Sequence, residues 1–173
     1  LWIGHLREKN NIFAFKLPAT FLLQHELTTL ADVQLNTQLN IASAYSEIKL
    51  IQQGQIAYLY FEFYNGAMST RQCQNLQKVL LQAKQQAFKI IVLMGGKDFW
   101  SNGMNLNIIE ASPSAADESW NNINAMDDLA KEIIETEDQI IIAALQGNTA
   151  AGGVFLARAA DQVWAQASVI LNP

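Results

Sequence analysis

Apolar and polar positions alternate in two different rhythms along this chain, and the change of rhythm marks its elements. From Glu47 the residues Ile48-Lys49-Leu50-Ile51-Gln52-Gln53-Gly54-Gln55-Ile56-Ala57-Tyr58-Leu59-Tyr60-Phe61 predict two extended arms that turn near Gly54. The second arm is aromatic and β-branched, as a sheet position favours. Ser69 or Thr70 then caps a helix whose apolar positions Cys73, Leu76, Leu80, Ala83 and Ala87 recur at intervals of three and four. The run 89–94 and the run 140–145 hold almost no polar residue, which predicts parallel strands covered on both faces. Between them a helix is predicted over 114–136, with Trp120, Ile123, Met126, Leu129, Ala130, Ile133 and Ile134 as its apolar stripe. A helix over 150–160 and short strands at 161–165 and 168–171 complete the pattern. The order β-β-α-β-α-β-α-β-β implies an α/β fold with a mostly parallel sheet and right-handed crossovers.

The first 45 residues follow neither rhythm clearly. Residues 1–6 and 12–17 read as short extended pieces, with Pro18 ending the second, and 19–45 read as a loose helix and a linker. They are expected to be the tail of a preceding domain and a connector, with the main domain running from 46 to 173. The chain begins with Leu1 and stops at Leu171-Asn172-Pro173, so it is expected to be a piece of a longer protein. No signal peptide or membrane span is recognisable.

Half of the 173 residues are apolar and 16% are charged, which suits one ordinary domain with a core and excludes a disordered chain. The net charge of −5 is uneven. Residues 113–138 carry eight acids against Lys131 alone, a local −7, so the remainder sums to +2. The acids are expected to form a solvated helix face, and no basic face exists for nucleic acid. The single cysteine, Cys73, excludes an internal disulfide and fits a reducing cytoplasm; its place on a helix stripe makes it a packing residue. His5 and His25 have no metal-ligand spacing, and no metal site is expected.

Two glycine-bearing segments, each following an apolar strand, carry the candidate chemistry. They are Gly95-Gly96-Lys97-Asp98-Phe99-Trp100-Ser101-Asn102-Gly103-Met104-Asn105-Leu106 and Gln146-Gly147-Asn148-Thr149-Ala150-Ala151-Gly152-Gly153. Glycine permits close backbone approach, and a turn that opens a helix offers amide groups without partners. Two such turns facing one point can hold the negative oxygen of a reacting thioester. Alone, Gly152-Gly153 reads equally well as close helix–strand packing, and Gly103 with Asn105 as a cap for a short helix over 104–110. No nucleotide P-loop and no G-x-G-x-x-G after a strand is present.

The spacing Gly95-Gly96-x-x-Phe99-x-x-x-Gly103-x-Asn105-Leu106, followed by Gln146-Gly147-x-x-x-Ala151-Gly152-Gly153, resembles the crotonase (enoyl-CoA hydratase/isomerase) superfamily. The resemblance covers about residues 46–173, the N-terminal half of a crotonase-like ββα spiral. The wording of Trp2-Ile3-Gly4-His5-Leu6, Asp98-Phe99-Trp100-Ser101-Asn102-Gly103 and Ala143-Ala144-Leu145-Gln146-Gly147-Asn148 closely resembles the HypX/HoxX family of hydrogenase maturation factors. That family joins a formyl-tetrahydrofolate-dependent transferase module to a crotonase-like domain. The resemblance implies backbone oxyanion donors at Met104 and Gly152. It implies substrate-binding roles toward a coenzyme A thioester for Gly95, Gly96, Lys97, Gly103, Gly153 and Phe155, a lip for the pantetheine arm at 64–68, and hydrogenase maturation proteins as partners. It further implies that the whole protein is an enzyme and that this segment alone is inactive.

Departures from the family pattern are informative. Phe155 stands where hydratases carry one of their two acid–base glutamates, and phenylalanine transfers no proton. Asn105 replaces an aspartate, and Tyr64-Asn65-Gly66-Ala67-Met68 replaces an R-P-x-x-x-N-A segment. Phe155 argues against ordinary hydration, and the resemblance implies instead that the whole protein cleaves formyl-CoA to carbon monoxide and coenzyme A. Generic acyl-CoA hydration or isomerisation, and a non-catalytic interaction module, are the alternatives. Arg158 is expected to pair with an acid, and Trp100 and Trp120 to serve as core or wall.

Overall fold

The computed structural model describes the backbone of residues 2–5 and 13–16, and residues 47–173 in full. The loose helix and linker expected over 19–45, together with His25 and Pro18, lie outside the described residues. The two extended pieces expected near the start are β1 (Trp2–His5) and β2 (Phe13–Lys16). The hairpin is β3 (Ile48–Gln53) and β4 (Ile56–Phe61), turning through Gly54 at φ 60°. A single 3-10 turn over Tyr64–Gly66 leads into β5 (Ala67–Met68) and helix α1 (Thr70–Lys84).

Next come β6 (Ile90–Met94), β7 (Phe99–Ser101), β8 (Gly103–Met104), helix α2 (Leu106–Ala111) and helix α3 (Ala115–Ile134). The chain finishes with β9 (Ile140–Leu145), β10 (Asn148–Ala150), helix α4 (Gly152–Arg158), β11 (Gln162–Ala165) and β12 (Leu171–Asn172).

The large sheet has the order β2-β1-β11-β9-β6-β4-β3. Its middle strands β4, β6, β9 and β11 are parallel, while β3 and the β1–β2 pair close the two ends antiparallel. Both glycine segments, expected as plain turns, contain strands of their own. β10 pairs in parallel with β7 and β12 as a second sheet, and β5 pairs in parallel with β8. The chain thus repeats one move: a strand of the large sheet, a strand of a small sheet, then a helix. β6–β7–α3 and β9–β10–α4 are two such units, and they bring the two glycine segments side by side.

One face of the large sheet buries Leu59, Phe61, Ile91 and Ile141 against Leu80 of α1 and Leu129 of α3. Trp100 is 1% exposed; its indole N–H donates to the Leu93 carbonyl at 3.3 Å, and its ring meets Phe61 edge-on at 5.2 Å. Burying an aromatic ring with its one donor satisfied removes a large apolar area from water at no polar cost. The Ser69 side chain accepts from the Gln72 amide and Gln72 reaches back to the Ser69 amide, a reciprocal cap that fixes where α1 starts.

Several expectations shift on the helices. Helix α1 ends at Lys84, so Ala87 lies beyond it and is exposed, and Val79 is buried instead. On α3 the buried stripe is Asn122, Ala125, Met126, Leu129 and Ile133, whereas Trp120 (69% exposed), Ile123 and Ile134 are exposed. Contacts with α1 draw two acids out of the expected solvated face. Glu132 pairs with Lys84, and Glu118 accepts from the Thr70 hydroxyl at 2.7 Å. Arg158 is exposed and has no ion pair among the described residues, against the pairing expected for it.

Cys73 is fully buried, and desolvation pushes its thiol up to about 12 from an ordinary 9.0, against a smaller lowering by a backbone hydrogen bond. Since the thiolate is the reactive form, this side chain is inert while the fold persists. A thiol titration with an aromatic disulfide reagent should therefore find Cys73 unreactive in native protein and fully reactive in guanidinium chloride. Rapid native labelling would contradict its burial.

Candidate active site

The two glycine segments touch at one point. A β-carbon on Gly103 would fall 2.9 Å from the nitrogen and 3.3 Å from the Cα of Gly152. One on Gly152 would lie 3.5 Å from the Gly103 Cα. Gly103 also sits at φ +79°, a conformation side chains disfavour. Glycine at 103 is what lets the backbones approach this closely; at 152 a β-carbon would make an ordinary contact with Gly103 and press instead on the Met126 side chain. The neighbours of the contact are the two amides of interest, those of Met104 and Gly152.

The Met104 side is pinned by hydrogen bonds on every flank. The Asn102 amide donates to the Gly66 carbonyl at 2.7 Å, and the Gly103 amide donates to the Ser101 hydroxyl oxygen at 3.1 Å. The Asn105 amide donates to the Met68 carbonyl at 3.0 Å. The β5–β8 register is unbroken, with Ala67 opposite Gly103 and Met68 opposite Met104. In a parallel ladder the residue directly opposite is not the one bonded. It is the Asn105 amide, not that of its neighbour Met104, that Met68 receives. The Asn105 side chain accepts from the Ile108 amide at 3.2 Å and caps α2, the capping role open to it from sequence, with the helix at 106–111 rather than 104–110.

Asn122 was not anticipated. It is 1% exposed; its Nδ2 donates to the Met68 carbonyl at 3.0 Å and its Oδ1 accepts from the Asn105 amide at 3.3 Å. A polar residue four before Met126 and seven before Leu129, on the stripe itself, was the available signal.

The Gly152 side rests on a strained residue. Ala151 sits at φ 47°, ψ −129°, a region almost reserved for glycine, and its amide donates to the Asn172 carbonyl at 2.8 Å. Gly152 is the first residue of α4, so its amide has no acceptor within the helix. Gly153 faces away: a β-carbon there would meet the Ser101 carbonyl oxygen at 2.2 Å, so this glycine lets α4 lie directly on β7.

Met104, Ala151 and Gly152 open onto a cavity of about 360 Å3, walled by Met126, Ile123 and Phe155. That volume suits a small apolar group. Asn102 and Asp127 supply the polar side chains of its lining. Phe155 lines it yet is 65% exposed, which sets its ring at the mouth. The remaining sequence candidates lie elsewhere. Gly95 borders a second cavity of about 290 Å3 with Lys49, Tyr60 and Glu62, where burial and then the Tyr58 neighbour push the Tyr60 hydroxyl up. Gly96 is buried against the Phe99 carbonyl and Glu62, and Lys97 is exposed. The structure therefore brings Met104, Gly103, Gly152 and Phe155 together and leaves Gly95, Gly96 and Lys97 apart from that cavity. Trp100 is core, and Trp120 is neither core nor a lining residue of this cavity.

The model of the enoyl-CoA hydratase/isomerase family matches residues 52–171, which include both glycine segments. The chain belongs to the enoyl-CoA hydratase/isomerase family. A hydrogenase maturation factor HoxX from Bradyrhizobium diazoefficiens is 43% identical over all 173 residues. This chain spans 29% of that protein. A crystal structure of HypX from Aquifex aeolicus in complex with tetrahydrofolic acid superposes with a TM-score of 0.73 at 53% identity, over 75% of this chain and 23% of that one. An enoyl-CoA hydratase/carnithine racemase from Magnetospirillum magneticum shares the fold alone, at 18% identity and a TM-score of 0.66, over 75% of this chain and 50% of that one. The fold is thus the crotonase-like α/β fold expected from the sequence, and the domain is of the HypX/HoxX type. None of the described helices is long and apolar enough to cross a membrane.

The strain at Ala151 gives a direct test. Ala151→Gly should raise stability by about 1 kcal/mol in urea unfolding, because relief of about 1–3 kcal/mol of backbone strain outweighs the entropy glycine adds to the unfolded chain. A loss of stability would show that Ala151 is not strained as described.

Proposed function

We propose that this crotonase-family domain binds a coenzyme A thioester and holds its carbonyl oxygen between the amides of Met104 and Gly152. The observation that carries this reading is the contact of Gly103 with Gly152 beside an apolar cavity of acyl size. Preorganised amides aimed at a developing oxyanion typically contribute about 3–4 kcal/mol each. The acyl group would occupy the cavity, and the coenzyme A arm would leave past Phe155.

The substrate we favour is formyl-CoA, made in the whole protein by transfer of a formyl group from formyl-tetrahydrofolate to the coenzyme A sulfur. Tetrahydrofolic acid in the HypX relative supports this, as does the resemblance to hydrogenase maturation factors. Cleavage would break the formyl C–H and C–S bonds. The proton ends on sulfur, and carbon monoxide and the coenzyme A thiol leave without any oxidant. Phe155, at the position where hydratases carry a glutamate, offers no base for water and keeps the mouth apolar, which disfavours hydration and hydrolysis. We place the proton-transferring group in the remainder of the whole protein, which this chain spans only in part. Residues 1–45 would be the tail of the preceding transferase module. The carbon monoxide would pass to a nickel–iron hydrogenase centre in the cytoplasm, with maturation proteins as partners.

Calorimetric titration of the whole protein with acetyl-CoA and with S-ethyl-CoA, the thioether lacking the carbonyl, separates this reading from a non-catalytic interaction module. The reading expects saturable binding of both, with the thioester about tenfold tighter or more, the worth of one good hydrogen bond. No saturable heat with either ligand would favour the interaction module, and equal affinities would remove the oxyanion site.

A further inference from the structure

Helix α3 contacts both halves of the site with residues one turn apart. Asn122 binds the Met68 carbonyl and the Asn105 amide, which flank Met104. Met126 packs on the other half, its sulfur 3.1 Å from where a Gly152 β-carbon would be. On a helix, residues four apart share one face. One face of α3 therefore braces both halves of the glycine contact.

The Asn122 contacts are more than core satisfaction. Past Met104 the two-residue β5–β8 ladder closes with the bond from the Asn105 amide to the Met68 carbonyl. Asn122 brackets that bond, giving the Met68 carbonyl a second donor and the Asn105 amide a second acceptor. Its carboxamide ties the end of that ladder to α3. Without it, the Met104 peptide keeps its neighbours but loses the group that fixes its tilt relative to α3, and so relative to Gly152. Leucine fits the same volume and orphans nothing, since the Met68 carbonyl keeps the Asn105 amide. The cost of losing Asn122 falls on orientation.

We infer that Asn122 is a positioning residue that aims the Met104 amide at the acyl oxygen. This rests on the thioester reading above. The test uses the ratio of acetyl-CoA to S-ethyl-CoA affinity in the whole protein, which isolates the carbonyl from the rest of the ligand. Asn122→Leu should reduce that ratio about fivefold to tenfold, the range of one hydrogen bond, while S-ethyl-CoA affinity stays within about twofold of the parent. Asn122→Ala is the second variant should the leucine fail to fold. An unchanged ratio overturns the inference, and so does an equal loss for both ligands, which marks a merely structural role. A parent protein with no preference for the thioester overturns the underlying reading instead, so the two failures are told apart before any variant is made.

Discussion

The architecture of this site depends on a backbone contact that no side chain can share. Gly103 and Gly152 lie so close that a β-carbon on the first would intrude to 2.9 Å of the second residue's nitrogen. Such an approach brings two peptide planes from distant parts of the chain to one wall of a cavity. Everything around it restrains those planes. Bonds to Gly66, Met68 and Ser101 hold the segment before α2, and the strained Ala151, tied to Asn172, sets the start of α4. The strain at Ala151 is a local cost of order 1–3 kcal/mol, offset by the packing of α4 on β7.

The repeated strand–strand–helix move explains why the contact exists at all. Each unit leaves the large sheet, runs briefly in a small one, and returns through a helix. Two successive units must therefore lay their small-sheet strands, β7 and β10, side by side. The glycine segments occupy the same place in each unit, so parallel stacking of the units brings them into contact. Helix α3 then packs over the junction with a polar residue and a thioether where a plain core helix would present only hydrocarbon.

Much of this was legible in the sequence, for identifiable reasons. Long apolar runs such as 89–94 and 140–145 have a single reading as buried strands, and the Ser69–Gln72 pair announces the start of α1. The contact of Gly103 with Gly152 followed from family spacing, since nothing local predicts that two turns meet. Short strands such as β8 and β10 escaped because two or three residues carry no periodicity, and their pairing is a tertiary event. The stripe of α3 was misplaced for a related reason. Large apolar residues such as Trp120 and Ile134 outweigh a lone asparagine in any periodic count, yet it is Asn122 that faces inward. It turns inward to bond the Met68 carbonyl and the Asn105 amide at the end of the β5–β8 ladder, which no hydrophobic pattern records. The resemblance extends the substrate-binding set to Gly95 and Lys97, but Gly95 borders the second cavity and Lys97 is exposed.

The account is tested most directly by infrared difference spectroscopy of acetyl-CoA carrying carbon-13 at the thioester carbonyl, bound to the whole protein. Two amides converging on that oxygen polarise the bond, so the carbonyl band should move to lower frequency than in water and sharpen into a single component. A band at or above its aqueous position, with the ligand demonstrably bound, would mean that Met104 and Gly152 do not meet the acyl oxygen.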